Sequence, residues 1–306
     1  MSKNINACGS SPLTFKTYLQ KEKHSDNSIE RYLWRLKDYD SWCKKRGVNG
    51  TLIDYKTLLK YVKYLQSKDW KAESVNNQIR GINYYFEFLI AVGFRPDNPA
   101  ESVKVKRERT KVLSNLLSSD ELEDLYYSFE TENINDFYFT ATAKRNKVIV
   151  GLIVYQALNS TTLAKLQITH LELYKGKIYV PSTRKSNSRT LILKSWQVIE
   201  LMEYINEYRP KIQKHINLYN DTLFPLNTNQ FNSILGSVTR KLKRINHKVI
   251  NANQLRASVI TNWLNMHNIR EVQEMCGHKY IGSTERYKQD NLENLQDAIK
   301  EFHPLS

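Results

Sequence analysis

The sequence predicts a mainly α-helical protein of two domains, a helical bundle followed by a mixed α/β domain with a small antiparallel sheet. Apolar residues recur at helical spacing over most of the 306 residues, and the period changes to alternation only near residues 177–193. A short basic stretch without an apolar period separates the two parts. The length also fits two domains of about 150 residues each. We therefore place the first domain at residues 11–101, a basic linker at 102–117 and the second domain at 118–306.

The first domain is predicted to be a bundle of helices. The clearest helix covers Ser28–Lys45, where apolar side chains recur at i, i+3, i+4 and i+7, and Gly47 ends it. Two more helical patterns follow at residues 58–65 and 75–89. The predicted outward faces of the second and fourth helices hold basic and small polar side chains, namely Arg31, Arg35, Lys71, Ser74, Asn77 and Arg80.

The second domain is predicted to begin with a helix at Ser118–Glu121, where the serine hydroxyl and the glutamate carboxylate fit a capping box. The apolar pattern is helical again from Arg145 to Leu166. Short β-branched and aromatic runs at residues 177–180 and 190–193 then predict a hairpin with a basic tip. Beyond the hairpin the pattern predicts helices at residues 196–208, 227–244, 253–265 and 269–276.

The charge balance indicates a polyanionic partner. The chain has 46 Lys and Arg against 31 Asp and Glu, a net charge of +15, and nucleic acid is the commonest partner of so basic a protein. Charge alone does not separate DNA from RNA or an anionic membrane surface. No apolar run reaches the roughly 18 residues of a membrane span, so we expect a cytoplasmic, nucleoid-associated protein. The three scattered cysteines disfavour a disulfide framework and a thiolate metal site.

Four residue types in the second domain, Arg, Lys, His and Tyr, together indicate phosphoryl transfer without a metal. Arg256, at a predicted helix start, offers a planar fork that donates two parallel hydrogen bonds to a phosphate. Tyr287 follows His278 by nine residues, and a tyrosine hydroxyl acts as a covalent nucleophile where cations stabilise the phenolate. Lys185, at the hairpin tip, is suited to protonate a leaving oxygen. Cys276 has no partner base in a known arrangement and is interpreted as a packing residue.

These motifs occur in an order that resembles the tyrosine recombinases of the phage-integrase and Xer type, over nearly the whole chain. In the first domain, the segments similar to that family's SAM-like core-binding domain are Ser28–Tyr32, Ser74–Ile79 and Asp97–Ala100. In the second domain, the segments similar to its catalytic domain are Arg145–Lys147, Arg184–Asn187 and Gly277-His278 with Tyr287. The resemblance implies the tyrosine-recombinase fold, closed as a clamp around a DNA duplex.

The resemblance also implies the reaction and the partners. Tyr287 would attack the scissile phosphate to give a 3′-phosphotyrosyl link, Arg256 and His278 would hold the non-bridging oxygens, and Lys185 would protonate the 5′ oxygen. No ATP, metal or other cofactor is expected. The partners would be double-stranded DNA at a recombination site and further copies of the chain, which assemble from dimer to tetramer and exchange strands through a Holliday junction. Further DNA contacts are expected from Lys106, Arg184 and Arg189 and from the polar face of the first domain.

Two positions depart from the family pattern. Asn159 stands where the first catalytic arginine is expected, and Asn253 replaces the first histidine of a His-x-x-Arg motif. Asparagine still donates a hydrogen bond but brings no positive charge, and one lost donor costs on the order of 100- to 1000-fold in rate. Arg189 and Lys165 are both candidates to replace the missing cation, and the sequence does not choose between them.

Three functions are therefore kept open. The first is a site-specific recombinase of a mobile element, since the abundance of Lys, Asn, Ile and Tyr is typical of an A·T-rich genome. The second is a cleavage-impaired homologue that binds DNA as an accessory or regulatory subunit, which the two asparagines favour. The third is a type IB topoisomerase, which uses the same nucleophile chemistry. The amphipathic tail at residues 291–302 is expected to pack on a neighbouring protomer.

Overall fold

The computed structural model describes residues 14–106, 115–131, 136–184, 186–226 and 228–288. The chain divides into two compact units, residues 1–110 and 111–306. Three of the predictions above lie outside the described residues: they concern Lys185, the middle of the basic linker and the tail at residues 291–302. Within the described residues, no helix combines the length and the apolar character that a membrane crossing requires.

The described part of the first unit consists of helices packed around an aromatic core. Their bounds are α1 (Phe15–Lys21), α2 (Asp26–Lys45), α3 (Tyr55–Gln66) and α4 (Ala72–Ala91). The helix predicted at Ser28–Lys45 is confirmed, and it begins two residues earlier because the Ser25 hydroxyl caps it. Helices α2 and α4 pack closely at Gly81, where an added Cβ would lie 3.0 Å from the Arg35 side chain.

The first residues of the predicted linker are attached to this unit. Val103 and Val105 pack against its core. The Asn76 side chain, on α4, accepts a hydrogen bond from the Val105 N–H and donates one to the Val105 carbonyl, both at 2.8 Å. Lys106 follows this clamp directly and is exposed.

The described part of the second unit surrounds one long buried helix with shorter helices and one sheet. Its elements are α5 (Ser119–Tyr127), α6 (Phe137–Val154), α7 (Ser160–Leu163), β1 (Leu171–Glu172), β2 (Lys177–Val180), β3 (Arg189–Ile192), α8 (Ser195–Glu203), α9 (Arg209–Ile216), α10 (Thr228–Ile245), α11 (Ala252–Met266) and α12 (Ile269–Cys276). Residues 282–288 are also helical. The predicted capping box at Ser118 is confirmed. The sheet is antiparallel in the order β1-β2-β3, and Lys177 pairs with Ile192. Helix α6 packs against α5, α8, α9 and α11, so its C-terminal end lies beside α11.

The helical pattern predicted from Arg145 to Leu166 is interrupted in the structure. Helix α6 ends at Val154, and Ala157 adopts a left-handed backbone with φ of 50°. Asn159 then caps the short helix α7 by accepting a hydrogen bond from the Thr162 N–H at 2.9 Å. Because Ala157 is buried and apolar, it fits the helical pattern although its backbone leaves the helix. The break turns the carbonyl of Ala157 out of the helix.

Two further elements differ from the sequence prediction. Strand β1 was missed because two residues are too few to show an alternating pattern. The helix predicted to end at residue 208 continues through a π-helical turn, Tyr204–Tyr208, into α9. Pro210 has no N–H to donate to the preceding turn, and a widened turn just before it accommodates that loss.

Candidate active site

Arg256 lies at the centre of the candidate site, on the first turns of α11. Asn251 caps this helix by accepting from the Gln254 N–H. The Arg256 side chain is buried, and its Nη1 donates to the carbonyl of Ala157 at the break after α6. Its Nη2 lies 3.4 Å from Nε2 of His278. The guanidinium is thus oriented by one main-chain carbonyl and directed toward one histidine ring.

A tight turn after α12 positions His278. Gly277 ends the helix in a left-handed conformation with φ of 68°, which glycine adopts without steric cost. The Asn187 N–H donates to the Gly277 carbonyl at 2.9 Å, and Ser186 pairs with His278 as an isolated antiparallel bridge. The turn is therefore joined by main-chain bonds to the hairpin residues that directly follow Lys185.

The hydrogen bonds of His278 define which ring nitrogen holds the proton. A guanidinium only donates, so Nε2 of His278 accepts from Arg256 and the proton resides on Nδ1. Nδ1 then donates to the hydroxyl of buried Thr284 at 2.9 Å. Burial, followed by the positive charges of Arg256, Arg189 and Arg286, lowers the pKa of His278 to about 4. The ring is therefore neutral at neutral pH.

This depressed pKa predicts a pH-dependent stability that His278→Gln removes. The folded-state pKa of about 4 lies below the ordinary value of 6.5, so between these pH values protons bind preferentially to the unfolded chain. Wild-type protein should lose unfolding free energy as the pH falls through this window, and His278→Gln should lose less. Urea unfolding at neutral and mildly acidic pH measures the difference, with exposed His247→Gln as the matched control. Parallel losses in wild type and His278→Gln would contradict the prediction.

Tyr287 lies beside this histidine on the helical residues 282–288. The rings of His278 and Tyr287 are parallel within 8°, and their centroids are 6.1 Å apart. Tyr287 is half-buried, and Thr284 lies one helical turn before it on the same face. The structure thus brings together Arg256, His278 and Tyr287, three of the residues that the sequence singled out.

Arg189, at the start of β3, is buried in the same region. It was predicted on the basic hairpin as a DNA contact and as one candidate replacement for the missing arginine. It is 7% exposed, and within the described part of the chain its Nε and Nη1 have no hydrogen-bond partner. Burial, with the positive charge of Arg256 as the next cause, lowers the pKa of Arg189 to about 10. Among the described residues, no carboxylate oxygen lies within 4.0 Å of either guanidinium.

The two asparagines and the other candidate cation have different surroundings. The Asn159 carboxamide oxygen is used to cap α7, two residues after the carbonyl that Arg256 binds. Asn253 is exposed on the first turn of α11, three residues before Arg256 and so adjacent to it on the helix surface. Lys165 is exposed after α7. Among the described residues, no group of three His, Cys, Asp or Glu side chains is arranged to hold a metal ion.

The predicted DNA-binding face of the first unit forms a groove between α2 and α4. Four of the predicted residues line it together with exposed Trp34, namely Arg35, Lys71, Ser74 and Asn77. Arg31 and Arg80 lie near enough to Arg35 to lower its pKa further, after the larger effect of burial. In the second unit Arg184 is exposed near the hairpin tip.

Sequence reasoning missed several groups that the structure places at these sites. Thr284 orients His278, Arg286 acts electrostatically on it, and the carbonyl of Ala157 holds Arg256. Thr284 could have been predicted from the sequence, because it lies three residues before Tyr287 in a helical segment and therefore on the same face. The role of Ala157 depends on a main-chain break that no side-chain pattern signals.

Comparison with known proteins identifies the family to which the chain belongs. The family model for the phage integrase family matches residues 115–294, and the model for the phage integrase N-terminal SAM-like domain matches residues 14–93. The chain belongs to the phage integrase family. The resemblance to tyrosine recombinases and the predicted fold class, a SAM-like helical domain followed by a mixed catalytic domain, are both confirmed.

Relatives within the phage integrase family match over almost their full length. Tyrosine recombinase XerC of Bacillus subtilis is 23% identical over 299 residues, which cover 95% of each chain. A tyrosine recombinase of Thermosipho africanus is 26% identical over 302 residues, with 94% of this chain and 98% of that protein covered.

Solved structures of family members share the fold. The XerH recombinase bound to its difH substrate superposes with a TM-score of 0.66 at 17% identity, covering 91% of this chain and 82% of that one. A lambda integrase dimer bound to a COC′ core site gives a TM-score of 0.60 at 14% identity, covering 90% and 93%.

Proposed function

We propose that this member of the phage integrase family is a site-specific DNA recombinase that cuts and rejoins DNA through a 3′-phosphotyrosyl intermediate. One observation supports this above the others. The ring of Tyr287 lies parallel to that of His278, and Nε2 of His278 is 3.4 Å from the buried Arg256 guanidinium. A nucleophile next to an oriented phosphate-binding fork is what cleavage through tyrosine requires.

In the proposed reaction, the hydroxyl oxygen of Tyr287 attacks the scissile phosphorus. The new oxygen–phosphorus bond links the tyrosine to the 3′ side of the DNA, and the bond to the 5′ oxygen breaks. When the Arg256 fork turns to the phosphate, Nε2 of neutral His278 gives up its hydrogen bond from Arg256 and accepts the phenolic proton, and the resulting imidazolium donates to a non-bridging oxygen. Lys185 gives its proton to the leaving 5′ oxygen. Attack by a second 5′-hydroxyl reverses these steps, so neither ATP nor a metal is consumed.

Asn159 and Asn253 have lesser roles in this proposal. Each is a neutral neighbour of the phosphate site, Asn159 beside the carbonyl that Arg256 binds and Asn253 one helical turn before Arg256. A neutral amide contributes a hydrogen bond without offsetting the charge of the phosphate. The buried arginines are therefore left to offset most of the negative charge of the phosphate.

The groove of the first unit is proposed to lie against the DNA backbone. Its basic and small polar side chains suit phosphate contacts, which hold a protein on DNA with a strong dependence on salt. The net charge of +15 supports the same partner. We further propose that copies of the chain assemble on two sites and exchange strands through a Holliday junction for a mobile element. XerH bound to its difH substrate and a lambda integrase dimer bound to a COC′ core site are solved examples of DNA-bound proteins with this fold.

Covalent trapping tests the proposal. Purified protein is incubated in EDTA with nicked duplexes taken from the DNA that flanks its own gene, so that the short fragment released with a free 5′-hydroxyl diffuses away. We expect a protein–DNA band that survives a denaturing gel, and peptide mapping should place the DNA on Tyr287. The same protein should not relax a plasmid that lacks the site, which separates a recombinase from a topoisomerase.

One outcome would replace the proposal with the accessory role. If the protein binds these duplexes but forms no covalent band, on substrates that a related recombinase cleaves, then it acts by DNA binding alone. The neutral side chains of Asn159 and Asn253 would then explain why the activity was lost.

A further inference from the structure

We propose that Arg189 supplies the second guanidinium of the phosphate site and so replaces the arginine that is missing at Asn159. The inference rests on the proposed function, since it assigns one more residue that touches the scissile phosphate. It commits to one of the two cations that the sequence left open, Arg189 over Lys165.

The first argument is position. Arg189 and Arg256 both reach the turn after α12. Nη1 of Arg189 occupies the space that a Cβ on Gly277 would need, and Nη2 of Arg256 lies 3.4 Å from Nε2 of the next residue, His278. A Cβ on Gly277 would overlap Nη1 of Arg189 and lie 2.9 Å from the Asn187 carbonyl. The glycine therefore leaves the space that the guanidinium fills. The cation comes from the hairpin strand rather than from the end of α6.

The second argument is the absence of partners. A structural buried arginine in the same unit, Arg209, donates to the carbonyls of Thr222 and Asn220 and to the Gln213 side chain. Arg189 is equally buried, yet its Nε and Nη1 donate to no atom of the residues that the structure describes. Buried donors without acceptors are unfavourable, and an unpaired buried charge is more so. A protein tolerates such a group where a ligand completes it.

The third argument is charge. Arg189 and Arg256 repel each other, and among the described residues no carboxylate within 4.0 Å offsets either. A dianionic transition state with two non-bridging oxygens satisfies both guanidiniums at once. Lys165 does not compete for this place, since it is exposed after α7.

The test compares cleavage rates of Arg189→Met at saturating DNA on two substrates. On an ordinary phosphodiester we expect a loss of about 100-fold in the covalent complex, the usual cost of one transition-state donor. On a duplex with a methylphosphonate at the scissile position, which has no negative charge to offset, the deficit should shrink to about 10-fold or less. A purely structural role would give the same deficit on both substrates.

Two controls keep the outcome interpretable. Arg270→Met removes the same charge from an exposed position on α12 and should cleave both substrates as wild type does. Thermal unfolding and DNA binding of each variant show whether it folds. If Arg189→Met does not fold, Arg189→Lys takes its place, and the loss of the planar fork should still slow cleavage about 10-fold.

The results separate this inference from the proposed function. No covalent complex with wild-type protein overturns the proposed function itself. A wild-type complex together with an equal deficit of folded Arg189→Met on both substrates, or wild-type cleavage by folded Arg189→Met or Arg189→Lys, overturns only the role of Arg189.

Discussion

The Tyr287→Phe variant is expected to form no covalent protein–DNA complex while it still binds DNA. The substitution removes the attacking oxygen and keeps the ring that lies parallel to His278, so the fold around the site should persist. Removing the nucleophile of an enzyme that acts covalently costs far more than one hydrogen-bond donor, and we expect a rate loss above about 1000-fold. The covalent band on nicked duplexes measures the first effect, and a native gel shift measures DNA binding.

Tyr280→Phe is the matched control for this substitution. Tyr280 lies seven residues earlier and is 77% exposed, and no hydrogen bond or ring contact joins its side chain to the described groups of the site. It should give the covalent band at the wild-type rate. A covalent band from Tyr287→Phe, or its loss in Tyr280→Phe, would assign the nucleophile to a different residue.

The Arg256→Met variant is expected to have the second-largest effect, a loss of cleavage on the order of 1000-fold. The substitution removes the fork that is proposed to hold the non-bridging oxygens, and the carbonyl of Ala157 loses its donor. An unpaired buried carbonyl costs about 1–3 kcal/mol, so the free energy of unfolding should fall as well. Arg256→Lys should recover little activity, because an ammonium does not reproduce two parallel hydrogen bonds.

A second readout separates the electrostatic role of Arg256 from its structural one. The positive charge of Arg256 is, after burial, the next cause of the depressed pKa of His278. In Arg256→Met the pKa of His278 should therefore rise, which an NMR titration of the histidine ring measures. If the rate falls but the pKa of His278 stays at the wild-type value, the two side chains do not interact as the structure indicates.

The sequence predicts those parts of the fold whose signals are local. Helix α12 and strand β2 have the predicted bounds, because in each the apolar pattern stops at the same place as the residues that signal the end of the element. The sequence can also predict that His278 and Tyr287 lie close together, since only a short turn and one helix separate them along the chain. These predictions need no knowledge of distant contacts.

The rest depends on contacts between distant segments. After helix α6 ends at Val154, Ala157 adopts a left-handed backbone conformation, and its carbonyl accepts a hydrogen bond from Arg256. The apolar pattern of the sequence does not indicate this hydrogen bond. In the sequence Arg189 follows a polar hairpin tip, and this position does not predict that its side chain is buried. Only the packing of β3 against α12 shows that it is buried. Burial is a property of the assembled unit, so it separates a surface cation from one inside the site.

The bonds between the hairpin and the turn after α12 use backbone atoms alone, from the Asn187 N–H to the Gly277 carbonyl and in the bridge of Ser186 to His278. Main-chain groups are the same for every residue type except proline. The side chain at position 187 therefore takes no part in these bonds, whereas the hydroxyl of Ser186 also lies 2.9 Å from that of Thr183. In the proposed recombinase, a substitution at position 187 other than proline would therefore change the surface of the hairpin while the main-chain bonds that position His278 remain.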